Sequence, residues 1–145
     1  MRADEFMTIN KEGYSCPAAT QNIEINTKNR DATIKEYNYG PLNVDVPEDY
    51  FKKVADYWST SEEAARESLC GNCVAFDISE TMDKCMPGRT SAEANEEITQ
   101  GVLGYCWMHH FKCHSERTCH TWAKGGPIHA DAISSDWATR HAEHV

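Results

Sequence analysis

Apolar side chains recur along this chain in two rhythms, and each predicts a different kind of element. Over residues 50–58, Tyr50, Phe51, Val54, Ala55 and Trp58 fall one, three and four positions apart, the spacing of a single stripe on an α-helix. Pro47, just ahead, suits a first helical turn. A second helix follows at once. Thr60 stands as its N-cap with Glu63 three residues on, a capping box. That helix runs through Ala64, Ala65 and Leu69 and delivers Cys70 at its end, where Gly71 closes it. Thr90 and Glu93 repeat the box and predict a shorter helix over 91–100, closed by Gly101.

From 103 the period changes to two. Leu103, Tyr105, Trp107, His109 and Phe111 alternate with Cys106, Met108, His110 and Lys112, which predicts a strand. Residues 114–117 (HSER) form the expected turn and 118–122 (TCHTW) a short return strand. KGGP at 124–127 breaks the chain again, and 134–144 reads as a short terminal helix. The first 45 residues show no sustained rhythm. They are rich in Asn, Thr, Gly and Pro, and predict an extended N-terminal arm with little regular structure, docked by Ile34, Tyr37, Tyr39 and Leu42. A disordered tail is the alternative.

Composition adds a constraint. A chain of 145 residues is about one domain, long enough to build a core unaided. Its aliphatic residues are scarce and its mean hydropathy is −0.66, so four Trp, six Tyr and four Phe carry much of the apolar mass. Such a core gains less from burial, which favours a metal centre that cross-links loops. The fold class expected is a small α+β, irregular, metal-stabilised domain: a few short helices plus a small antiparallel hairpin around a cluster. The arm spans 1–45, the cluster domain 46–125, and a C-terminal tail with a short helix 126–145.

The net charge of −9 and the lack of any Lys/Arg-rich run argue against nucleic acid as a partner. No segment approaches the apolar length of about 20 residues that spans a bilayer. The start, MRADEFMTINKEGYSC, has no apolar core of a signal peptide. The expected location is therefore cytoplasmic and reducing, where seven cysteines read as metal ligands before disulfides. No Ser-His-Asp set, phosphate loop or HExxH is present, so an enzyme is not expected. Glu62, Glu63, Glu67, Glu93, Glu96 and Glu97 read as solvated helix faces.

The cysteines carry the candidate chemistry. Cys70-Gly71-Asn72-Cys73 could be a redox dithiol, half a zinc site, or the first two ligands of an iron–sulfur cluster. A thioredoxin-type pair sits at the start of a helix, whereas this one follows a helix. A c-type haem needs CxxCH, and Val74 follows Cys73. A Rieske-type centre is a poor match: Cys113-His114 and Cys119-His120 are adjacent pairs, whose side chains diverge on an extended segment. Zinc ribbons show two CxxC pairs, and this chain has one; a Cys₄ zinc site stays open as an alternative. Ligands arriving singly from separate segments suit an object wider than one ion, a cubane cluster.

CGNCVAF at 70–76, then an isolated cysteine, then TCHTW at 118–122 resemble the high-potential iron–sulfur proteins, with their C-x-x-C … C … C-x-x-W outline. The resemblance covers residues 68–122. It implies a [4Fe–4S] cluster held by Cys70 and Cys73, by Cys106 in its Gly-x-Cys context, and by Cys119, with Trp122 packing near it. Cys85 (in CMPG, 85–88) and Cys113 are alternates for the third ligand. The stretch between Cys73 and Cys106 is longer than the family pattern. Bacterial members are usually exported, and no export signal stands here. The same outline also resembles uncharacterised phage-encoded chains, which would make the location a virion.

The function implied is an electron carrier or redox-active protein with an unidentified redox partner protein. A structural or assembly protein of a virion, stapled by an iron–sulfur or zinc centre and partnered by other virion proteins, is the second reading. Phe76, Tyr105, Trp107, Phe111 and Trp122 lie within a few residues of the ligands and form the expected cluster shell, whose aromatic walls favour the more oxidised couple. His109, His110, His114 and His120 are expected to be solvated or hydrogen-bonded, and one of them could donate to a cluster sulfur. Cys16 reads as an incidental free thiol.

Overall fold

The computed structural model describes residues 7–86 and 101–143. It begins with a small antiparallel pair, β1 (Met7–Ile9) and β2 (Ser15–Pro17). The Asn10 side chain closes their loop by accepting from the Glu12 and Tyr14 amides at 3.1 and 2.9 Å. Then come α1 (Ala18–Gln21) and α2 (Ile23–Tyr37). Asn22 caps α2 through its side-chain oxygen, which accepts from the Glu24 and Ile25 amides, and Asn38 ends it in the left-handed region at φ 55°.

This helix corrects the expectation of an irregular arm, and the reason is physical. α2 is not docked by an apolar stripe: Ile23 is 77 % exposed, while only Ile25, Ile34 and Tyr37 reach the core. Its grip on the rest of the chain comes from two asparagines three residues apart. The Asn26 side chain accepts from the Lys112 amide at 2.7 Å, and Asn29 donates to the His110 carbonyl at 2.7 Å. A polar docking face carries no hydrophobic period to read. Tyr39 is buried as expected; Leu42, 65 % exposed, is not a docking residue.

The stripe of α3 (Tyr50–Trp58) is as predicted: Phe51, Val54 and Ala55 are buried, flanked by Tyr50 and Trp58. They pack on Ala65 of α4 (Glu62–Glu67) and on Leu69. The boundaries differ. Asp49, not Pro47, precedes α3, and Ser61 rather than Thr60 caps α4, accepting from the Ala64 amide at 3.0 Å. α4 ends before Leu69, and Cys70–Asn72 form a separate 3₁₀ turn.

A three-stranded antiparallel sheet follows, in the order β3 (Phe76–Asp77), β4 (Leu103–Cys106), β5 (Phe111–His114). Its hairpin turns at 107–110, earlier than the expected HSER turn. His110 adopts φ 60° and its amide donates to the Cys106 carbonyl at 2.8 Å. Histidine tolerates that conformation better than a β-branched residue would. The alternation from 103 to 112 is thus two strands folded on each other, and 118–122 is not a strand, although Thr118 bridges to Gly40. α5 (Glu80–Cys85) is capped by Ser79, and α6 (Asp131–Glu143) is the terminal helix. The helix predicted at 91–100 lies outside the described residues. Among those described, no helix is long and apolar enough to cross a membrane.

Apart from the α3–α4 cluster, one main core unites these elements, and the N-terminal residues Cys16, Ala19 and Tyr39 belong to it beside Phe76, Tyr105, Trp107, Phe111 and Ile128. The buried Asp77 carboxylate ties three segments together. It accepts from the Trp107 indole at 2.9 Å, the Ser134 hydroxyl at 2.5 Å and the Ser79 amide at 2.9 Å. Cys16 and Cys85 form a disulfide. Packing of α5 against β2 brings their Cα atoms to 5.6 Å, within bridging range. Two expectations are corrected here: Cys16 is not a free thiol, and Cys85 is not available as a third ligand.

Candidate metal centre

The other five cysteines are free and line one cavity. Cys70 and Cys73 open and close the turn after α4, Cys106 ends β4, Cys113 lies in β5, and Cys119 follows in the loop beyond it. Phe76, Met108, Thr118 and Trp122 complete the wall of a small cavity of about 20 Å³. All four proposed ligands are therefore brought together, with Cys113 as a fifth sulfur. Of the predicted shell, Phe76 and Trp122 face the cavity. Tyr105, Trp107 and Phe111 are fully buried but do not line it. Tyr105 packs edge-on against Trp107 at 5.0 Å, and Phe111 against Tyr39 at 4.8 Å.

Backbone pairing fixes the Cys70–Cys73 turn on two sides. On one, the Cys70 amide donates to the Arg117 carbonyl at 2.6 Å and Gly71 to Ser115 at 2.9 Å. On the other, the Val74 amide donates to Ala123 at 2.8 Å and Gly126 to Asn72 at 3.0 Å. Trp122 locks the corner: its indole N–H donates to the Leu69 carbonyl at 2.8 Å and the Asn72 side chain at 2.9 Å. The turn and the 115–126 segment thus depend on each other for position, although 42 or more residues separate them in sequence.

The sulfurs differ in their surroundings. Burial pushes the Cys73 thiol above its usual range, opposed by the Ala123 and Ala75 amides that donate to its sulfur. Cys119 is pushed up to about 12, again by burial, against donation from the Thr121 hydroxyl and amide. Cys106 is held low, first by the neighbouring Cys113 thiol and then, against burial, by the His109 and Met108 amides. Cys113 is pushed far up by burial and by the adjoining sulfurs of Cys106 and Cys70. Backbone amides therefore point at three sulfurs, the arrangement that stabilises a bound thiolate. At Cys113 no amide contributes.

The donor set is soft throughout, sulfur with no carboxylate or amine in the wall, and suits iron–sulfur, zinc or copper(I) chemistry. A Cys₄ zinc site gathers its sulfurs at about 2.3 Å from one ion. Among the described residues no three His, Cys, Asp or Glu side chains gather on such a point.

The histidines have ordinary partners. His109 stacks on Tyr37 at 4.5 Å, with Nε2 2.6 Å from the Thr121 hydroxyl. That hydroxyl lies 3.2 Å from the Cys119 sulfur. His110 Nδ1 is 3.3 Å from the Tyr105 hydroxyl, His114 accepts from the Glu116 amide, and His120 stacks on Tyr57 at 3.7 Å. Met108, Thr118 and Thr121 are site residues that motif reading passes over. Met108 stands two residues after Cys106, Thr118 directly before Cys119 and Thr121 two after it, and that proximity is the only signal they carry.

No protein-family model matches the chain, and no curated protein or solved structure is significantly similar to it.

Proposed function

We propose that this chain holds one [4Fe–4S] cluster through Cys70, Cys73, Cys106 and Cys119 and serves as a small electron carrier, similar to the high-potential iron–sulfur proteins. One observation carries the proposal. Free sulfurs from a turn, a strand end and a distant loop line a single cavity with apolar and aromatic walls. A cluster bound there supplies one-electron chemistry. The chain's own residues do the rest. Cys73, Cys106 and Cys119 receive amide hydrogen bonds that favour thiolates, and Cys70 shares the turn with Cys73. Cys113, without such an amide, is left outside the set.

Phe76, Met108 and Trp122 place apolar surface against the sulfurs, which disfavours added negative charge and supports the more oxidised couple. Binding a cation releases the protons that burial keeps on the Cys73 and Cys119 thiols. The test is anaerobic reconstitution with iron and sulfide, followed by visible spectroscopy during redox cycling. A brown protein whose colour bleaches and returns reversibly, with its fold intact, supports electron transfer. A redox-silent centre whose chelation unfolds the chain supports the structural staple, and a colourless protein with stoichiometric zinc rejects the cluster.

A further inference from the structure

We propose that Cys113 is a reserve ligand that can take the place of Cys106, so that the centre survives loss of that thiolate. The inference rests on the cluster reading above and concerns the fifth sulfur, which that reading does not use. In the β4–β5 register Cys106 opposes Phe111 and Gly104 opposes Cys113. Side chains two apart on a strand share a face, so Cys106 and Cys113 are diagonal neighbours on the cavity side of the hairpin. Diagonal pairs lie within reach of each other's side chains. Cys113 is 2 % exposed and lines the same cavity as Cys106 and Cys70.

Gly104 keeps this arrangement open. A Cβ there would stand 2.6 Å from the Phe76 ring, so Phe76 fills the position directly across from Cys113 and leaves the thiol facing the other sulfurs. A buried cysteine used only as apolar filler has no need to face two ligands. The exchange balances without any oxidant. With a cluster bound, Cys113 would hold the iron that Cys106 releases, its thiol proton would pass to the Cys106 sulfur, and no electron would be transferred.

The test compares iron per chain in reconstituted wild type, Cys106→Ala, Cys113→Val and the double variant; alanine is used at 106 because a serine oxygen can itself bind iron. Both single variants are expected to keep at least about four-fifths of the wild-type iron, and the double variant to lose more than three-quarters. Iron lost in Cys106→Ala, whether the chain stays folded or not, overturns the inference, because Cys113 has then failed to substitute. Iron retained in the double variant overturns it equally, since other groups then hold the centre. Wild type without iron rejects the cluster itself, a result distinct from either.

Discussion

Gly126 is where the fold and the candidate centre meet most tightly. A Cβ at this position would stand 1.7 Å from the Cys73 carbonyl oxygen and 2.4 Å from its carbonyl carbon. Ordinary carbon–oxygen contact needs about 3.3 Å, so Gly126→Ala must push the facing backbones apart by roughly 1.6 Å. The opposing atoms are main chain and have no rotamer to give way. The displaced segments are those joined by the Gly126–Asn72 and Val74–Ala123 hydrogen bonds. Overpacking costs about 1–3 kcal/mol, and weakening those bonds adds about 1 kcal/mol, so about 3 kcal/mol is expected in all. For a chain of this length that is roughly a 10 °C fall in Tm. Because the clash falls on Cys73, iron binding should drop as well. Gly13→Ala is the control: it too is non-ideal, at φ 89°, but its Cβ meets nothing within 4 Å. It should cost about 1 kcal/mol and leave iron content unchanged. Circular dichroism melts and iron analysis of both variants decide the matter. A Gly126→Ala protein that melts within about 3 °C of wild type and binds iron normally would refute the proposed contact.

Further outcomes follow from elsewhere in the fold. Denatured without reductant and stripped of metal, the protein should show five reactive thiols of its seven cysteines; seven would contradict the Cys16–Cys85 bond. Cys16→Ala with Cys85→Ala removes a cross-link spanning 69 residues, worth about 4 kcal/mol by loop entropy, measurable as a lowered urea midpoint. Asp77→Ala removes the carboxylate that accepts from the buried Trp107 N–H and Ser134 hydroxyl and should cost about 2–4 kcal/mol; a loss under about 1 kcal/mol would show that water replaces the carboxylate. Burial lowers the His109 pKa, against the opposing charge of Glu36, so the unfolded chain binds its proton more readily than the folded one. That contribution to stability is complete above the unfolded value of about 6.5 and is lost as pH falls toward the lower folded value. His109→Gln should therefore flatten the fall in urea midpoint between pH 7 and 5, and an unchanged slope would refute it.

What was legible in the sequence followed the kind of force at work. The α3 stripe and the terminal helix rest on local period and are present in the structure; the grouping of Cys70, Cys73, Cys106 and Cys119 rests on the family resemblance, and the structure lines one cavity with them. Helix α2 was not legible, because Asn26 and Asn29 dock it by hydrogen bonds to the β4–β5 hairpin that no hydrophobic pattern records. The hairpin at 107–110 was hidden for a different reason. Strand alternation continues unbroken across it, and only the left-handed His110 marks the reversal. The Cys16–Cys85 pairing depends on β2 and α5 meeting across most of the described N-terminal half, which spacing cannot convey. Cys113 was visible as a cysteine, but its place as a fifth sulfur required the β4–β5 register.

The most direct measurement is iron, acid-labile sulfide and zinc per chain after anaerobic purification. The account predicts about four irons and four sulfides, with no stoichiometric zinc. Zinc in their place, or neither metal with all five free thiols titrating, would contradict it.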